Sequence, residues 1–98
     1  MPAPTISVEE LKKKVKNVFL LDVRELDESG QIVGAIRVPL GKVMRDLPKL
    51  NLPADEEIVC YCAGGFRGQV AADFLAGKGF KARNLVGGYK AYMMASAE

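Results

Sequence analysis

The chain's nucleophilic sulfur lies in two cysteines, Cys60 and Cys62, separated only by Tyr61. Cys62 ends a short apolar run, Ile58-Val59-Cys60-Tyr61-Cys62, and opens Ala63-Gly64-Gly65-Phe66-Arg67-Gly68. This reads as a strand, a glycine-rich turn and then a helix. In open parallel sheets, ligands bind just beyond the C-terminal ends of the strands. Gly64, Gly65 and Gly68 let the backbone curl and turn successive N–H groups inward. A helix starting near Arg67 or Gly68 adds free N–H groups and the positive end of its dipole. Arg67 adds a full positive charge. Together these features are expected to stabilise a Cys62 thiolate, or an anion carried on it. Cys60 lies in mid-strand without such a loop. Core packing is expected for it, with a redox partner role as the alternative.

Loop length separates the reaction classes. Cysteine-dependent phosphatases use C-x5-R, a cradle sized for phosphate on the thiolate. Here Cys62 and Arg67 enclose four residues, giving C-x4-R. The narrower cradle has less room for a tetrahedral oxyanion but can solvate a terminal sulfur on the cysteine. No histidine precedes the cysteine, and none occurs anywhere in the chain. That excludes Ser-His-Asp and Cys-His catalysis and Cys/His zinc sites. Two thiols are also too few for a structural zinc site, so no metal is expected.

The elements that must position this loop follow from a chain of 98 residues with a formal charge of +2. Such a length supports one domain, 1–98, with one modest core. A Cys-x-Cys strand pair cannot form a disulfide without distortion, so reduced thiols and a cytoplasmic setting are expected. No signal peptide or membrane span is visible. Residues 62–98 carry 5 basic and 2 acidic side chains, against 9 and 10 in residues 1–61. The basic cluster Lys12-Lys13-Lys14-Val15-Lys16 adjoins Glu9 and Glu10 and reads as a helix face, so no nucleic-acid partner is expected.

Ser7-Val8-Glu9-Glu10 has the form of a capping box and predicts a helix over about 8–16. Val18 to Val23 reads as a strand buried on both faces. Ala35 to Pro39 reads as a short strand, and 41–50 as a helix that Pro48 interrupts or ends. After the strand 58–62, the pattern predicts a helix over 69–78 with Val70, Phe74 and Leu75 inward and Gly79 at its C-terminus. A strand over 81–86, a break at Gly87-Gly88 and a closing helix over 89–97 complete the chain. This β-α alternation predicts an α/β sandwich on a mainly parallel sheet of four or five strands.

Four blocks in order resemble the rhodanese (sulfurtransferase) family. Leu20-Leu21-Asp22-Val23-Arg24-Glu25 resembles its L-[LI]-D-V-R-E strand end. Residues 30–40, Gly-Gln-Ile-Val-Gly-Ala-Ile-Arg-Val-Pro-Leu, resemble its G-H-I-P-G-A-x-N-I-P-L segment. Cys62 to Arg67 fits its C-x-x-G-x-R loop. Residues 84–92 resemble its closing strand, glycine pair and helix. Gln31, Val33 and Arg37 depart from the second block, and Gly68 stands where many members place Ser or Thr. The loop's G-x-R-G and the closing G-G-Y-K-A-Y are similar to the rhodanese domain fused to coenzyme A-disulfide reductases.

The resemblance implies a three-layer α/β/α fold around a central, mainly parallel five-stranded sheet. It implies that Cys62 cycles between thiolate and persulfide, with the N–H groups of residues 63–67 cradling the outer sulfur and no cofactor. The substrate-binding set it implies is Ala63, Gly64, Gly65, Phe66, Arg67 and Gly68, with Arg24 either at the pocket rim or in a structural ion pair. Asp22 is expected to support the fold. The implied partners are a small sulfur donor (thiosulfate, polysulfide or a small-thiol persulfide) and a thiol or cyanide acceptor. A sulfur-carrier module serving a protein acceptor or a partner reductase is the alternative. The missing hydroxyl at Gly68 bears on how well thiosulfate serves.

Overall fold

The fold is that of a computed structural model, which describes residues 2–96. Buried apolar runs form the sheet. Its strands are β1 (Thr5–Ile6), β2 (Phe19–Asp22), β3 (Ile36–Arg37), β4 (Glu57–Tyr61) and β5 (Lys81–Leu85). They lie in the order β1-β5-β4-β2-β3, and every pairing is parallel. This is the expected five-stranded α/β architecture. β4 lies at the centre, with Cys60 in register with Leu21 on one side and Asn84 on the other.

Four helices cover the sheet: α1 (Val8–Lys14), α2 (Leu40–Asp46), α3 (Phe66–Gly77) and α4 (Gly88–Ser96). Single 3-10 turns, Val15–Asn17 and Leu47–Lys49, extend α1 and α2. Ser7 caps α1 by accepting the Glu10 N–H at 3.1 Å. Pro48 sits in the second 3-10 turn, where its missing N–H leaves no broken helical bond.

Side chains of a strand alternate between faces, so β4 feeds two cores. Ile58, Cys60 and Cys62 face a cluster with Leu21, Val23, Val43, Ala71, Ala72 and Leu75. Val59 and Tyr61 face the opposite cluster, with Ile6, Leu11, Leu20, Ile32 and Leu85. α2 and α3 therefore cover one face, and α1 and α4 the other. Among the described residues no helix is long and apolar enough to cross a membrane.

Several boundaries differ from the sequence reading. β1 was not anticipated: two residues carry no periodic signal, and pairing with β5 creates the strand. The strand expected over 35–39 shrinks to Ile36–Arg37. α3 begins at Phe66 rather than Gln69 and buries Gly68, Ala71, Ala72 and Leu75, with Val70 and Phe74 only part-buried. Gly79 adopts φ +96 just past its end, and the Phe80 N–H returns to the Leu75 carbonyl at 3.1 Å. The expected end of the closing helix, residue 97, lies outside the described residues.

Candidate active site

The site sits where the central strand runs into α3. Cys62 follows β4 directly and is 2% exposed. Gly65 takes φ +113, a left-handed conformation open to glycine at little cost, and serves as the N-cap of α3. That turn brings the Gly65 N–H to 3.0 Å from the Cys62 sulfur. The sulfur thus lies at the start of a twelve-residue helix, whose first N–H groups lack partners within the helix. Gly64 and Phe66 are exposed on the loop, and Gly68 is buried in the first turn.

The loop's carbonyls face the other way. Cys62 and Ala63 carbonyls accept the Tyr89 and Lys90 N–H groups at 2.7 and 3.1 Å, from the first turn of α4. Gly88 makes this approach possible. It takes φ +61, and a Cβ there would overlap the Cys62 carbonyl oxygen and lie 2.9 Å from the Ala63 carbonyl carbon and oxygen.

Arg67 forms a two-pronged ion pair with Glu28, at 2.6 and 2.9 Å. Glu28 is also fixed by the Glu25 N–H at 2.7 Å. Hydrogen bonding from Arg67 leads the causes that hold the Glu28 carboxyl down to about 2. The same pair raises the Arg67 pKa, with the Cys62 sulfur contributing less. Arg67 is therefore a fixed cation within electrostatic reach of the sulfur, tied to an acid from the loop after β2.

That loop is built on a buried acid. Asp22 is fully buried and accepts from Arg24 and Arg37 at 3.2 and 3.0 Å. Burial opposes its charge, but hydrogen bonds led by Arg24 hold its carboxyl below the usual carboxylate range. Arg37 also donates to the carbonyls of Glu25, Glu28 and Gly30, so it shapes the segment that carries Glu28.

Residues 7–95 match the rhodanese-like domain family. The chain belongs to that family. It is 32% identical to YtwF of Bacillus subtilis strain 168, named a candidate sulfurtransferase, over 94% of this chain and 92% of that one. It is 37% identical to YrkF of the same organism, named a candidate sulfur carrier, over 80% of this chain. The chain spans only 44% of YrkF. The crystal structure of reduced Bacillus anthracis CoADR-RHD superposes with a TM-score of 0.83 at 39% identity, covering 92% of this chain and 16% of that one.

Within this rhodanese-like domain, the structure gathers Cys62, Ala63, Gly64, Gly65, Phe66, Arg67 and Gly68 into one turn. Arg24 sits apart from them. It is 3% exposed, and its guanidinium donates to Asp22 and to the Ser29 and Gly30 carbonyls. Its guanidinium carbon also lies 4.5 Å from the centre of the Tyr89 ring. These contacts are those of the structural ion pair, one of the two placements the sequence left open for Arg24. Cys60 is fully buried, and burial pushes its thiol up to about 12. Sequence reasoning missed Glu28 and Asn84. Glu28 was one acid among several in a polar loop. Asn84 carried a signal only in lying just before Gly87-Gly88, where its strand must end beside the active-site turn.

Proposed function

We propose that this chain is a sulfurtransferase that carries sulfane sulfur as a persulfide on Cys62. The observation that carries the reading is the Gly65 N–H on the Cys62 sulfur at 3.0 Å, at the start of α3. A thiolate there is a nucleophile solvated by backbone donors rather than by an imidazole. It attacks the outer sulfur of a donor, forming one S–S bond while the donor's own sulfur–sulfur bond breaks. Sulfite or a thiolate leaves with that electron pair. The new persulfide carries its charge on the outer sulfur, where unpaired N–H groups of the loop and Arg67 stabilise it. An acceptor thiolate then takes that sulfur, and the Cys62 thiolate leaves. No cofactor is needed, because each step exchanges one sulfur–sulfur bond for another.

The names of YtwF and YrkF support sulfur handling for this chain as well. The decisive experiment exposes the protein to thiosulfate, polysulfide and glutathione persulfide, and locates added sulfur by mass spectrometry. One sulfur atom on Cys62 is the expected result. No adduct with any donor, or an adduct on Cys60 alone, overturns the reading.

A second reading is a sulfur-carrier module that delivers its persulfide to a protein acceptor. Exposed Phe66, Val86 and Leu26, in the segments that follow β4, β5 and β2, favour it, because apolar side chains there suit a protein surface. Stable persulfidation with slow release to cyanide supports this module. Fast cyanide turnover overturns it in favour of the free enzyme.

A further inference from the structure

We infer that Asn84 is a positioning residue for the Cys62 cradle. The inference rests on the sulfur-transfer reading and adds the group that holds the cradle in shape. Asn84 lies near the end of β5, is 5% exposed, and is in register with Cys60. Its Nδ2 donates to the Gly65 carbonyl at 3.1 Å and to Gln69 Oε1 at 3.2 Å. Its Oδ1 is the buried side-chain polar atom left without a hydrogen-bond partner among the described residues. Such an orphan costs stability, so its orientation calls for a cause.

The cause lies further along the same network. Gln69 Nε2 donates to Asp73 Oδ1 at 2.8 Å and to the Ala3 carbonyl at 3.2 Å. Both partners accept only, so Gln69 cannot reverse its amide. Its Oε1 must therefore face Asn84. Asn84 in turn faces two acceptors, Gln69 Oε1 and the Gly65 carbonyl, and must present its NH₂ group. The orphaned Oδ1 points at the place where a Cβ on Gly68 would stand. A side chain at 68 and the present Asn84 rotamer therefore compete for one volume.

The Gly65 carbonyl belongs to the planar, trans Gly65–Phe66 peptide. In such a unit the N–H points opposite to the carbonyl. The carbonyl accepts the Gln69 N–H of α3 at 3.1 Å and, from outside the helix, the Asn84 amide at 3.1 Å; held by both, it aims the Phe66 N–H out of the helix start. That is the end where the Gly65 N–H already meets the Cys62 sulfur. The chain Asp73–Gln69–Asn84 thus adds a second hold, beyond the helical bond, on the direction of a cradle donor that none of the three side chains supplies. A hydrogen bond to the peptide's other end does the positioning, and none of the three needs to touch a substrate.

The test compares wild type with Asn84→Ala, and with Leu11→Ala as a core-cavity control in the cluster on the opposite face of the sheet from Cys62. Persulfidation of Cys62 by glutathione persulfide is followed at varied donor concentration. The Phe66 amide is followed by ¹⁵N NMR. Asn84→Ala should lower kcat about tenfold with KM within twofold, as expected for a displaced rather than a deleted group. It should also move the Phe66 amide resonance, while Leu11→Ala changes neither. Wild-type kcat, or an unmoved Phe66 amide, in Asn84→Ala overturns the inference. If Asn84→Ala does not fold, Gln69→Ala releases the Asn84 amide and must shift the same resonance; an unmoved one overturns it. Failure of wild type to form any persulfide sinks the sulfur-transfer reading instead, and the amide shift still decides whether Asn84 aims the Phe66 N–H.

Discussion

Replacing Glu28 with glutamine isolates the clamp on Arg67. The Glu28 carboxyl titrates at about 2 rather than 4.5, chiefly because Arg67 hydrogen-bonds to it. Taken in full, that gap is worth about 3 kcal/mol. The two side chains are 28% and 32% exposed, so solvent screening reduces the pair to roughly 1 kcal/mol. In a domain of this size, that lowers the melting temperature by about 4–8 °C. The folded-state pKa lies below the unfolded one. The contribution is therefore complete above about pH 4.5 and is lost as pH falls through about 2. Urea unfolding of wild type and Glu28→Gln between about pH 7 and pH 3 reads the difference directly. The gap should be constant near neutrality and shrink as pH falls below about 4.5. Equal stabilities at neutral pH, or a gap unchanged in acid, would refute the electrostatic account of the clamp.

Gly88→Ala forces a Cβ into the Cys62 and Ala63 carbonyls at positive φ. It should cost on the order of 3 kcal/mol, and differential scanning calorimetry should show a correspondingly large drop in melting temperature. Asp22→Asn leaves Arg24 and Arg37 facing a neutral amide in a fully buried setting. A loss of about 3–5 kcal/mol is expected by denaturant titration, and a near-neutral result would show that the two arginines find other partners. The Cys60 thiol, pushed up to about 12 by burial, should stay protonated and unalkylated by iodoacetamide at neutral pH until the chain unfolds. Peptide mapping of native and urea-treated protein checks this, and native-state labelling at Cys60 would count against its burial.

The sequence made the active-site turn legible because its signals are local. A glycine at the N-cap, a cysteine at a strand end and an arginine five positions later all lie within one short run. The buried strands were equally legible, since Ile58 to Cys62 is apolar without interruption. β1 was hidden because two residues, preceded by Pro4, have no period of their own. The early start of α3 was hidden because Gly68 reads as a turn residue. Its burial against Tyr61 and Asn84 shows why a glycine belongs inside this helix. The partners of Arg67 and of the Gly65 carbonyl were hidden for a different reason. Glu28 and Asn84 lie 39 and 19 residues from the groups they hold, and no local pattern encodes such pairings.

The place of β5 between β1 and β4 bears on the order in which the molecule is made. Thr5 pairs with Asn84, so β1, made early, cannot join the sheet before β5 has formed beside β4. Contacts between such distant residues slow folding, because the long loop between them must close first. Cys62 leaves the ribosome well before Asn84 and α4, which hold its loop from two sides. During that interval the chain carries its nucleophile without the assembled cradle. A translation product ending before residue 84 therefore has Cys62 but neither Asn84 nor α4 to hold its loop.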